Sequence, residues 1–504
     1  MNHVDFQADR RLFMRQSAAW AATGCAAPLA MSLAASSAVA ATTATDYKAL
    51  VCIFLHGGND AFNTVLATDE PSWAAYTSTR NQQPESIALR KGVAPDRAQL
   101  PGSPAWLGGV LPIAPVTAQE GRSFALHPML GDAAALFANK RLAIVANVGP
   151  LCGPLAKSDY VKGQKDRPRK LFSHNDQQST WMAMAPEGAT VGWGGRLADA
   201  IASGNGSSMF TAISLSGHAV WLSGDSVRQY QLAQTGPIRV GGAGAKTGQL
   251  RVYDSDVVGA ALERVVSRTR NGHLLSADLA DVTRRSITYE RLLSVALPGA
   301  EAFGAPSMLN YRNLAGGAQF NPLAQQLQTV ARTIAAQQVL GLKRQVFFVS
   351  LGGFDTHNTQ NKSHADLLAR LNHALSYFDQ ALGQMGMHNQ VTTFTASDFG
   401  RSFTSNGDGT DHGWGAHHIV MGGAVKGGDI IGDFPVLGRK NMANNDFDSS
   451  PDQLTNGVLL PRLSVDQYGA SLGRWFGVGD NDLTGIFPNL VNFGSGRFLP
   501  LMKA

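Results

Sequence analysis

The sequence is poor in cysteine, in long apolar runs and in blocks of like charge. Only 3 of its 504 residues are cysteine, which excludes a small fold held together by several disulfides. Its 42 Lys and Arg residues outnumber its 37 Asp and Glu residues, but they are scattered, so we expect no nucleic-acid partner. No run after the N-terminal region is apolar enough to span a bilayer, so we expect no stable membrane span. The class that remains is a large globular protein.

The N-terminus predicts export. Arg10 and Arg11 form a twin-arginine pattern, and an Ala-rich apolar stretch and the sequence Ala38-Val39-Ala40 follow it. We therefore predict a signal peptide over residues 1–40, cleaved after about Ala40, with the Tat translocase as the partner during export. The mature protein is then periplasmic or secreted. Because Tat carries folded proteins, a metal or cofactor loaded before export is compatible with this route.

Two cysteines, Cys52 and Cys152, remain after removal of the signal peptide. An oxidising compartment would allow them to form one disulfide. Both lie near predicted strands, so two buried free thiols are an equal alternative.

Four apolar runs predict a buried sheet. They are Tyr47–Leu55, Leu142–Val148, Gln345–Leu351 and Val391–Thr395. Such continuous runs are typical of parallel strands covered on both faces. We therefore predict a three-layer α/β/α fold with a mostly parallel central sheet. Residues 41–504 would form a single large domain with a helical and irregular insertion at about 200–340.

Three of these strands run into glycines and a carboxylate, at Asp60, Asp355 and Asp398. In a parallel sheet the carboxyl ends of the strands meet at one edge, where open α/β folds bind their ligands. His357, Asp411 and His412 follow two of these strands at short distance. This mixture of carboxylate oxygen and imidazole nitrogen suits a divalent cation. The alternative is that the acidic residues are helix caps in polar surface loops.

Ser173 begins a predicted helix after a basic loop over residues 162–170. The free N–H groups and the positive dipole end of a helix favour an anion at or near such a hydroxyl. Serine is also a common N-cap, so a purely structural role is the alternative.

Seven short motifs together resemble one known family. They are FLHGGND, FSHNDQQ, GWGGR, LGGFDTH, ASDFGR, GTDHG and GGAVKGG. The set resembles the DUF1501 family of exported bacterial proteins, which is grouped with the alkaline phosphatase and sulfatase superfamily. The resemblance implies an alkaline-phosphatase-like α/β/α fold with a binuclear metal site at the strand ends.

The resemblance also implies roles for individual residues. Ser173 matches the nucleophile. The implied metal ligands are Asp60, Asp355, His357, Asp398, Asp411 and His412. Two divalent ions are expected, and the pattern does not distinguish Zn, Mn, Ca and Fe. Two departures are that Phe399 stands where the superfamily has a histidine, and that Asp355 and His357 are unusually close in sequence.

The leading hypothesis is an exported metal-dependent hydrolase of phosphate or sulfate esters. The ester substrate would be a small molecule or a polymer. In this interpretation Arg401 or Arg196 holds the charged oxygens of the substrate, and His417 or His418 assists the leaving group. The alternative is a non-catalytic exported metal-binding or assembly protein with a degenerate site and an exported protein partner. A third interpretation, prompted by Trp193 and Trp414 in Gly-rich loops, is a carbohydrate-binding or polysaccharide-modifying protein.

Overall fold

One nine-stranded sheet organises the chain. The computed structural model describes residues 46–119, 121–206, 208–237, 252, 255–268 and 273–503, and the predicted signal peptide lies outside these residues. Across the sheet the strands are Ile430–Ile431, Leu142–Gly149, Ala416–Met421, Val391–Ser397, Lys48–His56, Arg344–Gly352, Ala212–Ser214 and Tyr230–Gln231, with Leu463–Ser464 paired beside Leu142–Gly149. Every pairing is parallel except the two that Ala416–Met421 makes. The predicted mostly parallel sheet is confirmed.

The central strand shows why the sheet is buried on both faces. Lys48–His56 pairs in parallel with Arg344–Gly352 on one side and with Val391–Ser397 on the other. Successive side chains of a strand point to opposite faces. Ala49, Val51, Ile53 and Leu55 accordingly enter one hydrophobic core, whereas Leu50, Cys52 and Phe54 enter the other. The continuous apolar run is therefore explained by two covering layers.

Helices form those two layers. Gly131–Ala138, Pro322–Ala335 and Gln360–Gln384 pack on the first core. His174–Ala183, Trp193–Ile201, Val465–Phe476 and Asp480–Ile486 pack on the second. The apolar stripe of the long helix, which includes Leu367, Leu371, Leu375, Phe378 and Leu382, is buried. The arrangement is the predicted three-layer α/β/α architecture.

Shorter elements connect these layers. The other helices are Ala61–Thr64, Glu70–Arg80, Pro104–Leu107, Lys157–Lys162, Asp256–Val266 and Leu274–Ala296, with 3-10 turns at Ala202–Gly204, Val220–Leu222, Ala300–Phe303, Pro306–Leu309, Thr455–Gly457 and Leu490–Arg497. The other strands are Val65–Ala67, Leu111–Ile113, Phe124–Leu126, Asn310–Arg312, Ala318–Phe320, Arg401–Ser405 and Thr410–His412. Among the described helices, none has the length and apolar character that crossing a membrane requires. Cys52 and Cys152 are both free thiols.

The Gly-, Ser- and Asn-rich segment after Asp398 has the composition of a loop but contains strands. Arg401–Ser405 and Thr410–His412 pair as an antiparallel hairpin, and Ala416–Met421 enters the central sheet. The polar composition of this segment does not predict strands. Tertiary contacts pair its polar side chains, and local composition does not report those contacts.

Candidate metal centre

The carboxyl ends of three parallel strands gather a cluster of imidazoles and carboxylates. Lys48–His56, Arg344–Gly352 and Val391–Ser397 end side by side, and Asp355 and Asp398 follow the last two. Gly57 permits this close approach: its φ is +112°, and a Cβ there would lie 2.4 Å from the backbone nitrogen of Asp355. Its N–H donates to Asp398 Oδ2 at 3.2 Å. The strand-end prediction for Asp355 and Asp398 therefore matches their placement.

His174, Asp355 and His412 form the heart of the cluster. One ligand atom from each lies within 4.8 Å of the others. His174 Nε2 is 3.4 Å from Asp355 Oδ2, and His412 Nε2 is 3.3 Å from Asp355 Oδ1. The carboxylate of Asp355 is 43% exposed, so a small molecule can reach it from solvent.

Hydrogen bonds fix the tautomers of His174 and His412. His174 Nδ1 lies 2.8 Å from Asp398 Oδ2, and His412 Nδ1 lies 2.8 Å from the carbonyl oxygen of Phe172. Both partners only accept, so each Nδ1 carries a proton and donates. Each Nε2 of a neutral ring then presents its lone pair toward Asp355. Metal-binding histidines in proteins are oriented in this way.

His357 extends the cluster. Its Nδ1 lies 3.3 Å from Asp411 Oδ1, while its Nε2 lies 3.1 Å from Asp355 Oδ1 and 3.0 Å from His412 Nε2. Two nitrogen lone pairs at this separation repel unless a proton or a cation lies between them. Ligand atoms about 2.1 Å from one tetrahedral ion are roughly 3.4 Å apart, which is close to these separations.

Two atoms in the cluster are buried without a hydrogen-bond partner, namely His174 Nε2 and Asp398 Oδ1. Buried polar atoms in proteins are nearly always paired. Unpaired acceptors beside convergent imidazoles are what a bound cation would satisfy. The donor set, its tautomers and its unpaired atoms thus fit a divalent metal ion.

The electrostatics of the cluster favour charged carboxylates. The hydrogen bond to Asp398 raises the pKa of His174, so a proton and a metal ion would compete for its Nε2. Partial burial acts to raise the pKa of Asp355, but the hydrogen bond and charge of Arg401 outweigh it and hold that pKa below its usual value. Burial lowers the pKa of His412, which keeps the ring neutral and able to coordinate.

The structure places Asp60 outside this cluster, in a fully buried ion pair. Arg80 Nη1 lies 2.5 Å from Asp60 Oδ2, and both side chains are 0% exposed. Arg80 Nη2 donates to Asp60 Oδ1 at 3.0 Å, and Gln360 Nε2 donates to Oδ2 at 2.6 Å. Asp60 also caps the helix Ala61–Thr64. The charge that a metal would have compensated at Asp60 is compensated by a guanidinium, which departs from the predicted metal-ligand role.

Arg401 is at the cluster, but its side chain is buried and bonded to other protein groups. Its side chain is 0% exposed. Nη1 donates to Asp355 Oδ1 at 2.7 Å and to the Gly57 carbonyl at 3.3 Å, and the other nitrogens donate to Thr410. Arg401 therefore orients Asp355, whereas the sequence predicted that it holds substrate oxygens. Arg196 lies on another helix, 3.9 Å from Asp225.

Ser173 precedes the helix His174–Ala183 as its N-cap residue, but its side chain makes no capping hydrogen bond. Its Oγ instead donates to Asp176 Oδ2 at 2.9 Å. The residues on either side, Phe172 and His174, both contact His412. Ser173 therefore lies at the edge of the cluster with its hydroxyl bonded to Asp176, and both the nucleophile and the purely structural role stay predictions.

His417 and His418 are not part of the cluster. Both are buried on the strand Ala416–Met421. His417 Nδ1 accepts from the Asn147 N–H at 3.0 Å, and its ring stacks on Phe434 with centroids 4.5 Å apart. His418 packs between Trp181 and Tyr468. These contacts are those of core residues, and the predicted leaving-group role has no support in this placement.

We expect His418 to make the protein less stable in acid. Burial lowers its pKa from 6.5 to about 3, so the unfolded chain binds this proton more tightly than the folded one. The resulting stability is complete above about pH 6.5 and is lost as the pH falls toward 3. Between pH 7.5 and 5.0 His418 should account for a loss of about 2 kcal/mol in the free energy of unfolding. Urea unfolding of wild type and His418→Met at both pH values measures it, and an unchanged pH difference in the variant would contradict it.

His174 is the site residue that sequence reasoning missed. It stands inside the motif FSHNDQQ, but the neighbouring Ser173 drew the functional assignment. The available signal was its position at the start of a helix that follows a sheet strand. Its partner Asp398 is 224 residues away in sequence, so no local pattern reports the contact.

Comparison with solved structures finds distant likeness in fold. One similar structure comes from work on the metabolism of multiple glycosaminoglycans by Bacteroides thetaiotaomicron. It is 9% identical to this chain, with a TM-score of 0.30, and the match covers 87% of this chain and 74% of that chain. Ps i-CgsB is 11% identical with a TM-score of 0.32, covering 89% and 77%. Its complex with k-i-k-neocarrahexaose is 9% identical with a TM-score of 0.29, covering 72% and 71%. At these scores the likeness carries no argument about substrate or chemistry.

The sequence comparisons give one positive result. No curated protein matches the chain. The model of one protein family matches residues 262–487. This region begins after Ser173 and His174 and contains Asp355, His357, Asp398, Asp411 and His412. That model is the DUF1501 family, described as a protein of unknown function, and the match confirms the family resemblance predicted from the sequence motifs.

Proposed function

We propose that the protein is an exported metal-dependent hydrolase of phosphate or sulfate esters that uses Ser173 as its nucleophile. The observation that carries this proposal is the convergence of His174, His357 and His412 on Asp355, each with its Nδ1 held by an acceptor. Oxygen and nitrogen ligands gathered at a strand-end edge suit a divalent cation. Export through the Tat translocase rests on Arg10 and Arg11 in the sequence.

The proposed centre holds one ion. His174, Asp355 and His412 supply its ligands, and His357 is the fourth candidate. The predicted second ion would need Asp60, whose two oxygens are both bound by Arg80. A divalent ion bound at the centre supplies a Lewis acid that polarises the ester and offsets developing negative charge.

The residues around the centre support attack by Ser173. Asp176 holds the hydroxyl by accepting its hydrogen bond, and Ser173 stands at the N-terminus of the helix, where unpaired N–H groups favour an anion. The Ser173 oxygen would form a bond to phosphorus or sulfur as its proton passes to Asp176, while the ester oxygen leaves with its electron pair and takes a proton from water. Hydrolysis of the Ser173 ester by a second water would then restore the enzyme.

We expect Ser173→Ala to bind metal like wild type and to lose ester hydrolysis by at least about 100-fold. The measurement is turnover on a panel of phosphate and sulfate esters, together with metal content by mass spectrometry. Ser179→Ala is the matched control, because it removes another hydroxyl from the same helix. The Ser179 hydroxyl donates to the Pro186 carbonyl and not to a residue of the cluster. Undiminished turnover in Ser173→Ala would refute the nucleophile.

A non-catalytic metal-binding protein is the second candidate. It is favoured by the internal pairing of Arg401 and of Asp60, which leaves neither free for a substrate or a second ion. This candidate predicts bound metal with no turnover on either ester class, so the same experiment separates the two.

A further inference from the structure

Two of the three residues before Ser173 have an unusual backbone. Lys170 has a φ of +51° and Phe172 a φ of +70°, a region that residues with side chains rarely adopt. Such conformations persist where surrounding structure fixes them, often at ligand-binding positions. Here the Phe172 N–H donates to Gln177 Oε1 and its carbonyl accepts from His412. Phe172 is therefore fixed to the helix His174–Ala183 by its N–H and to the candidate metal centre by its carbonyl.

The side chains of this segment nevertheless face solvent. The Phe172 residue is 39% exposed, although a phenylalanine favours burial. The Lys170 side chain is 66% exposed, and its ammonium lies 3.4 Å from Asp176 Oδ1. The other oxygen of that carboxylate receives the Ser173 hydroxyl. An exposed cation and an exposed ring thus flank the proposed nucleophile.

Arg401, the arginine that contacts the cluster, has a fully buried side chain. A Lys ammonium has three donors, and Asp176 takes one of them at most. Lys170 can therefore bind an anionic oxygen without giving up its carboxylate partner.

We propose that Lys170 and Phe172 determine substrate specificity, with Lys170 binding the anionic oxygens of the ester and Phe172 stacking on an aromatic ring of its alcohol. The substrate class is then a monoester of an aromatic alcohol. This inference rests on the proposed function, whose reaction it narrows. The two residues act on binding, so their effects are measurable without turnover.

The test uses two stable phosphonates that differ only in the ring. Dissociation constants of phenylphosphonate and methylphosphonate are measured by calorimetry on the metal-loaded full chain. We expect Lys170→Met to weaken both ligands by about 10-fold or more, because a charge-assisted contact is lost. We expect Phe172→Gly to weaken only phenylphosphonate, by about 5-fold. Glycine accepts the positive φ and keeps the backbone hydrogen bonds, so this variant should fold.

Two further variants sharpen the result. Lys165→Met removes a loop cation that pairs with Asp159 at 3.0 Å and should change neither constant. Phe172→Trp should restore ring selectivity. Wild-type affinity in Lys170→Met, loss of both ligands in Phe172→Gly, or no binding of either phosphonate by the wild type would overturn the inference. Binding with these variant effects but without hydrolysis of any ester would uphold the inference and refute the proposed reaction.

Discussion

Replacing Asp60 with alanine should lower the free energy of unfolding by about 3–5 kcal/mol. The substitution leaves the Arg80 guanidinium in a site where both side chains are 0% exposed. Arg80 would keep its bonds to Asn63 Oδ1 and to the Ser402 and Phe403 carbonyls, but these neutral acceptors do not cancel its charge. Removing one partner of a buried pair costs far more than the pair contributes. Urea unfolding at neutral pH measures the change.

Two controls identify the cause. Asp281→Ala breaks an exposed pair with Arg284 at 2.6 Å and should cost less than about 1 kcal/mol. The double variant Asp60→Leu with Arg80→Met removes both charges and should recover most of the loss. A double variant as unstable as Asp60→Ala would show that shape or capping, and not the uncompensated charge, sets the cost.

The same residue separates the two possible uses of a strand-end carboxylate. If Asp60 serves the fold, Asp60→Asn keeps about one equivalent of metal per chain. If Asp60 serves as a ligand, as the family resemblance implies, metal content falls in that variant while the protein stays folded. Metal analysis of Asp60→Asn therefore decides between a one-ion and a two-ion centre.

The sheet and the edge of the site were predictable because their signals are local. The run Leu142–Val148 predicts the strand Leu142–Gly149, and Gln345–Leu351 predicts Arg344–Gly352. Parallel pairing follows from apolar character on both faces, and it brings Asp355 and Asp398 to one edge. These steps need only composition, spacing and the geometry of a sheet.

The partners of the strand-end carboxylates were not predictable, because they come from distant sequence. Arg80 lies on a helix 20 residues after Asp60, and nothing in its surroundings marks it as buried. His174 reaches Asp398 across 224 residues. The sequence pattern of a strand-end carboxylate is the same whether a metal ion or a guanidinium compensates its charge. Only tertiary packing decides which of the two does so.

We expect His412→Ala to remove the metal ion, lowering its content from about one equivalent to below about one tenth, and to abolish ester hydrolysis. His412 supplies a neutral Nε2 that faces Asp355 at 3.3 Å, with its tautomer fixed by the Phe172 carbonyl. Loss of His412 leaves at most three ligands, of which only His174 and Asp355 belong to the heart of the cluster, and these hold an ion weakly against water. Mass spectrometry and titration with a competing chelator measure content and affinity.

A graded comparison tests whether the ion sits at this cluster. Asp398→Asn leaves the ligands in place but weakens the acceptor that fixes His174 at 2.8 Å, so metal affinity should fall by about 10-fold to 100-fold. His218→Ala changes an exposed histidine and should leave affinity unchanged. If His412→Ala and Asp398→Asn both keep wild-type metal, the ion binds elsewhere and the cluster serves only the fold. If affinity follows the predicted order, the three imidazoles and Asp355 form the centre that the proposed hydrolysis requires.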